Sequence, residues 1–194
     1  LGTDDFGRDI LSRIIFGARI SLKVAFVAVS MAVILGGTIG ATAAYYSRID
    51  NVVMRIVDLF MAIPNVLLAI AIATALGSGE RNLMIAVGIS SVPMYARIVR
   101  AAVLSVKEQE YIEAATSIGA SDLRIILGHI IPNALSPVIV QATLSVATAI
   151  ILASSLSYLG FGVQAPLPEW GAMLSSGRQY IRTYWHMTVF PGLA

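Results

Sequence analysis

Hydrophobic positions in this chain gather into long runs, not into the alternation of a strand or the narrow stripe of a surface helix. A helix needs about 20 predominantly apolar residues to cross a bilayer. Four runs are of that kind: about Ser21 to Tyr46, Val52 to Leu76, the shorter Leu83 to Val99, and Pro137 to Leu156. A further apolar run, Tyr184 to Ala194, is too short to span. The pattern predicts an all-α polytopic membrane protein with about four complete spans and part of a fifth. Both ends of the chain read as cuts in something longer.

Polar residues inside the runs carry the next layer of information. Gly36 and Gly40, continued by Ala44, form a small-xxx-small face on which another helix can approach closely, so helix packing is the predicted role. Arg55 and Asp58 are spaced to share a helix face and neutralise each other. Charge within a membrane points to function, but this pair lies near the start of its span, where an interfacial structural pair fits as well. Pro64 and Asn65 fall in mid-span, where a freed carbonyl and a polar amide need a pore or another helix to face. Gln141, Ser145 and Thr148 share one face of the last run, lining a water-filled path or bonding to a neighbouring helix. Asp58, Asn65, Gln141 and Ser145 are therefore the candidate path-lining residues.

Between the third and fourth runs lies a charged, helix-forming island, residues 104–133. Ser105-Val106-Lys107-Glu108 has the form of a capping box that opens a helix. Gly119 suits a left-handed helix stop, and Ser121 suits the cap of a second short helix with Asp122 in its first turn. Pro132 is expected to break the backbone as the chain returns to apolar sequence. The island therefore predicts two short helices joined by a tight bend outside the membrane. At the other end, residues 1–19 are polar and glycine-punctuated, then amphipathic, with Ile10, Leu11, Ile14 and Ile15 on one stripe. Asp4, Asp5 and Asp9 lack the register of a metal loop and read as caps and turns, so no metal site is expected.

Composition sharpens the class. The 194 residues are 57% hydrophobic and 12% charged, with a mean hydropathy of +0.82. Soluble domains carry about 25% charged residues. A net charge of +2 and a pI near 9.1 call for no nucleic-acid partner. The absence of cysteine excludes disulfides, thiolate zinc sites and thiol catalysis. Neither Lys23 nor Lys107 follows a glycine, which excludes a Walker A phosphate loop. His129 and His186 have no nucleophile or ligand partner at useful spacing. The chain is expected to be no enzyme by itself and to carry no cofactor.

The island also carries a motif: Glu113-Ala114-Ala115, three residues, Gly119, then a spacer ending in Ile130-Ile131-Pro132-Asn133. It resembles the EAA loop of the permease subunits of bacterial ABC importers. Tyr111-Ile112-Glu113-Ala114-Ala115, Gly119-Ala120-Ser121 and His129 to Asn133 resemble the peptide/nickel (dipeptide/oligopeptide) branch in particular. So do Leu1-Gly2-Thr3-Asp4-Asp5 with Gly7 to Arg13, the words Ser154 to Gln164 and Glu169-Trp170-Gly171, and Phe190-Pro191-Gly192-Leu193.

The resemblance implies a type I permease fold, with an extracytoplasmic amphipathic segment at 1–19 and a transmembrane permease domain at 20–194. It implies a cytoplasmic coupling loop at 100–132, in which Tyr111, Glu113, Ala114, Ala115, Gly119, Ala120 and Pro132 engage an ATPase. Implied partners are a homologous second permease subunit, two ABC ATPase subunits that hold the ATP and Mg, and an extracytoplasmic substrate-binding protein. The implied setting is the bacterial cytoplasmic (inner) membrane, and the implied cargo is di- or oligopeptides or nickel chelates. Charge counting does not give the orientation. With the loop inside, Arg48, Arg55, Arg97, Arg100, Lys107 and Arg124 face Arg8, Arg13, Arg19, Lys23, Arg81, Arg178 and Arg182 outside, against the positive-inside rule. Two other classes stay in view: an ion-coupled secondary transporter, for which a broken helix and an acidic residue are expected, and a membrane scaffold assembled on the Gly36/Gly40 face.

Overall fold

Backbone amides and carbonyls in an apolar run have no water to bond, so they must be satisfied within the segment, and the runs fold as helices. The structure, a computed structural model, describes residues 1–163 and 166–194; Gln164, the last residue of the motif that starts at Ser154, lies outside them. In order, the helices are α1 (Ile10–Tyr45), α2 (Ser47–Met61), α3 (Asn65–Leu76), α4 (Glu80–Lys107), α5 (Glu110–Ser117), α6 (Asp122–Ile125), α7 (Ile131–Tyr158), α8 (Trp170–Gly177) and α9 (His186–Leu193). A π-helical turn, Ile126–Ile130, joins α6 to α7. Among the described residues there is no strand, only an isolated bridge between Thr3 and Asp9.

Three segments are long and apolar enough to cross a membrane: Ile10–Tyr45, Glu80–Lys107 and Asp122–Tyr158. The α2–α3 pair makes a fourth if it counts as one span. Its run is broken, not merely kinked. Helix stops after Met61, restarts at Asn65, and bends by 87° between. Pro64 cannot donate a backbone hydrogen bond and disfavours helix in the residue before it, which explains the stop. The first span is longer than the apolar run suggested. Nothing between Ile10 and Ser21 breaks a helix, so α1 runs for 36 residues, about 54 Å at 1.5 Å per residue, well beyond an apolar core of about 30 Å.

Proline at position 132 does not break the chain as expected. It lies in the first turn of α7, and the preceding turn widens to the π pattern, with the Ile131 amide bonding the Ile126 carbonyl. A wider turn relieves the clash between a proline ring and the carbonyl one turn back, at the cost of one bulge in an otherwise continuous helix. Asn133 Nδ2 donates to the His129 carbonyl at 2.6 Å, satisfying an acceptor in that turn.

The chain divides into two compact units. The first comprises Leu1–Val29, Val66–Ser90 and Ser145–Ala194. Its N-terminal acids are caps and turns. Asp4 accepts from the amides of Phe6 and Arg8, at 3.0 and 2.8 Å, and from Arg8 Nε at 2.7 Å. Partial burial pushes the Asp4 carboxyl up, but these bonds from Arg8 and Phe6 together outweigh it and hold the group below its ordinary value. Asp9 accepts from the Ser12 amide at 2.7 Å and so caps α1; bonding to Ser12 lowers its carboxyl too. Ile10, Met173 and Met187 form a small core. The Trp170 indole donates to the Ile14 carbonyl at 3.1 Å. The buried Glu169 carboxylate caps α8 through the amides of Gly171 and Ala172, at 3.0 and 2.8 Å. Lys23 pairs with Glu80 at 2.9 Å.

The second unit comprises Ser30–Asn65 and Ser91–Leu144. Here α1 and α4 touch backbone to backbone. A Cβ placed on Gly36 would lie 2.6 Å from the Val92 carbonyl oxygen, and one on Gly40 would overlap the Ala96 carbonyl. The small-residue face thus has its partner, residues 92–100 of α4.

Candidate functional site

The charged island belongs to this second unit. α4 continues through residues 100–107, so Ser105 and Glu108 do not open a helix; they flank the end of one. Without a proline or glycine before Lys107 nothing stops α4 earlier, and the bend follows only at Glu108-Gln109. Gln109 then occupies the N-cap position of α5, and its side chain donates back to the Ser105 carbonyl at 3.3 Å, covering a free acceptor of α4. Glu110 and Glu113 fall in the first turn of α5, where the helix dipole favours negative charge.

Gly119 ends α5 with φ +80°. Its amide bonds the Thr116 carbonyl at 3.0 Å, and the Ala120 amide reaches the Ala115 carbonyl at 3.1 Å. The second of these is the six-to-one bond of a Schellman stop, which needs a residue in the left-handed region. Ser121 takes the N-cap position of α6, without a side-chain bond to the helix.

The bend gives the loop two faces. Ile112 and Ile125 are buried with Ala44, Val99 and Val103 under the ends of α1 and α4, and Ala115 and Ala120 pack against this cluster. Tyr111, Glu113 and Ala114 are exposed, as are two large apolar residues, Ile118 at 86% and Leu123 at 69%. The two alanines of the motif therefore do different jobs. Ala115 faces inward and Ala114 outward, as consecutive positions about 100° apart on a helix must. Glu113 also edges a cleft of about 430 Å³ bounded by Tyr45, Lys107, Ile112 and Thr116.

Three side chains fasten the loop to the membrane helices. Lys107 Nζ donates to the Tyr45 carbonyl at 2.8 Å and the Ala44 carbonyl at 3.4 Å, the free acceptors at the end of α1. Its charge also lies 5.4 Å from the centre of the Tyr45 ring. The Tyr45 hydroxyl donates to Asp122 Oδ1 at 2.8 Å. Lys107 was visible in the sequence as a lone cation at a helix end; the role of Tyr45 had no sequence signal beyond its interfacial position.

The candidate path residues are distributed more widely. Asp58 does not pair with Arg55 along its own helix; it pairs with Arg97 of α4, and Asp50 takes Arg100 at 2.5–2.6 Å. Cross-helix partners win because an arginine on a packed neighbour can present its planar fork to the carboxylate, whereas Arg55 lies beside Asp58 on the same surface. Asn65 begins α3. Ser145 is buried, Gln141 half-buried and Thr148 exposed, so the polar stripe of α7 turns from cover toward the surface along its length. Among the described residues, no group of three or more His, Asp or Glu converges as a metal site would need.

The family model described as "Binding-protein-dependent transport system inner membrane component" matches residues 32–193. The dipeptide transport system permease protein of Alkalihalophilus pseudofirmus is 52% identical over the whole chain, and the glutathione transport system permease protein of Escherichia coli is 48% identical. The chain spans 64% of the length of each of these relatives. An inward-facing structure of the MetNI methionine ABC transporter superposes with a TM-score of 0.78 over 95% of this chain and 88% of that one. A structure of an amino acid ABC transporter gives 0.69 over 95% and 89%. Both are 19% identical and speak to the fold alone.

Proposed function

The chain belongs to the family of binding-protein-dependent transport system inner membrane components, and we propose from this that it is the transmembrane subunit of an ATP-driven importer of di- or oligopeptide-like solutes. It acts in the bacterial inner membrane beside a second, homologous permease subunit. An extracytoplasmic binding protein delivers the solute, and two separate ATPase subunits hold ATP and Mg. Dipeptide and glutathione permeases among the relatives support a peptide-like cargo, with nickel chelates as the other class the branch suggests.

The observation that carries the reading is the two-faced loop. Its inner side is fastened to α1 and α4, and its outer side presents Ile118 and Leu123 to solvent beside Glu113. Large apolar side chains exposed on an otherwise polar loop mark a protein contact. With Tyr111, Glu113 and Ala114 outward and Ala115, Gly119 and Ala120 setting the shape, an ATPase groove that receives the outer face moves the ends of both membrane helices. Pro132 acts further off, by placing the π turn through which α6 meets α7. Orientation follows the same reading: the loop and residues 108–130 are cytoplasmic, and residues 1–19 lie outside the cell. Gly36 and Gly40 hold α1 on α4 so that the two move together.

Co-purification of the full-length subunit with its ATPase subunits tests this. Gly119→Pro cannot adopt a positive φ, and Glu113→Lys reverses the one motif charge on the outer face. Wild type is expected to retain both ATPase subunits, and each variant to lose them while still inserting in the membrane. Equal retention by all three would remove the loop as the coupling site.

A further inference from the structure

α2 and α4 are joined by two ion pairs at different depths. Nearer the loop, Arg100 holds Asp50, and both side chains are largely covered. Farther along, Arg97 holds Asp58, and both side chains stay half exposed, at 51% and 56%. Arg55 lies one turn before Asp58 on α2 and is exposed as well. Lys107 ties the end of α4 to the end of α1. Arg97 therefore sits roughly 15 Å along α4 from that level, at about 1.5 Å per residue. That depth is about half of a 30 Å apolar core.

Lipid is a poor neighbour for such a face. Pairing cancels the charges of Arg97 and Asp58, but outer N–H groups of the guanidinium and an oxygen of the carboxylate still need polar partners. Arg55 adds a positive charge that the pair does not cancel. The face must therefore meet water or polar groups of another protein, and its balance of two arginines to one aspartate favours an anion. We infer that Arg55, Asp58 and Arg97 line a water-filled path and that their surplus positive charge takes the free carboxylate of a peptide-like substrate in transit. Asp58 holds the Arg97 guanidinium in place and competes with the carboxylate for it. Competition keeps the site weak, which a path that must release its cargo requires. This assignment rests on the importer reading and adds to it a substrate group and an arginine, Arg97, that the sequence pattern did not single out.

Two measurements on the full-length subunit in its complete transporter, reconstituted in lipid vesicles with ATP, test it. Residues 1–194 contain no cysteine, so in Arg55→Cys a charged, water-soluble methanethiosulfonate reports on one new thiol in this stretch. It is expected to react and to block uptake. The second measurement compares uptake of dialanine with uptake of its C-terminal amide. Arg97→Gln is expected to lower the preference for the free acid about tenfold, the scale of one charge-assisted hydrogen bond, with the ATPase subunits still bound. A thiol that stays unmodified with and without ATP places lipid or the second permease subunit on this face and overturns the inference. An equal loss of both probes in Arg97→Gln also overturns it, because the arginine then acts only in packing. Wild-type vesicles that accumulate neither probe overturn the peptide-importer reading itself, and this inference with it.

Discussion

Replacing Gly119 with alanine changes one backbone torsion and almost nothing else. A Cβ at this position meets nothing within 4 Å, so crowding plays no part. What remains is φ +80°, a conformation that costs an L-residue about 1–2 kcal/mol. That penalty falls on the bent form of the loop and on the two bonds that define it, from Gly119 to Thr116 and from Ala120 to Ala115. The opening equilibrium of the bend should rise by roughly 5–30-fold, since about 1.4 kcal/mol is a factor of ten. Amide hydrogen exchange of the purified full-length subunit reads this directly at residues 119 and 120. Gly119→Asn should lie between glycine and alanine, because asparagine tolerates the left-handed region. Gly128→Ala is the opposite case. That glycine is helical and also has open space around it, so its alanine should slow local exchange, by about 0.5–1 kcal/mol. The reasoning fails if the two alanine variants shift exchange in the same direction, or if asparagine at 119 opens the bend as far as alanine.

The remaining expectations are simpler. Gly40→Ala drives a methyl group into the Ala96 carbonyl and should cost about 1–3 kcal/mol, seen as a lower melting temperature in detergent; Gly37→Ala, whose Cβ meets only Val99 at 3.8 Å, should melt like wild type. Lys107→Met strips the cation from the last carbonyls of α1 and should loosen exchange at the 108–122 bend by about 1 kcal/mol, with Lys107→Arg keeping most of the contact. The carboxyls of Asp4 and Asp9 lie below their ordinary value of 3.8 in the folded chain. They therefore favour the N-terminal turn above that pH, and their contribution is lost as pH falls through the folded values. Exchange at Phe6, Arg8 and Ser12 should rise across that acid window, and Asp4→Asn with Asp9→Asn should already show the acid behaviour at neutral pH. A flat profile in wild type would mean that these acids do not hold the turn.

Much of the loop could be read before any fold was known because its constraints are local. Gly119 is a helix stop whose geometry depends on the few residues before it, and Gly36 with Gly40 marks a face whatever lies against it. Local reading fails where two local rules compete or where the neighbour decides. Ser105 to Glu108 satisfies the pattern of a helix start, yet the uninterrupted helix before it runs on and makes the same residues an end. Pro132 ought to stop a helix, but a single π turn absorbs it and α7 continues. Pro64 has no such relief in its sequence neighbourhood, and there the helix does break.

The sequence by itself determined the all-helical membrane class, the approximate spans, the bend at Gly119 and the family, because long apolar runs leave the backbone one way to bond and because the motif words are contiguous. Tertiary structure alone decided which charges meet. Asp58 takes Arg97, Asp50 takes Arg100 and Tyr45 takes Asp122, across separations of 39, 50 and 77 residues. Only packed helices bring such groups within hydrogen-bonding distance, where a charged or polar pair in a water-poor setting is far stronger than its neighbours along the chain. For the same reason the loop's inward and outward sides became distinct only in the fold: Ala114 and Ala115 are chemically identical, and what separates them is the cluster of Ala44, Val99 and Val103 that lies against one of them.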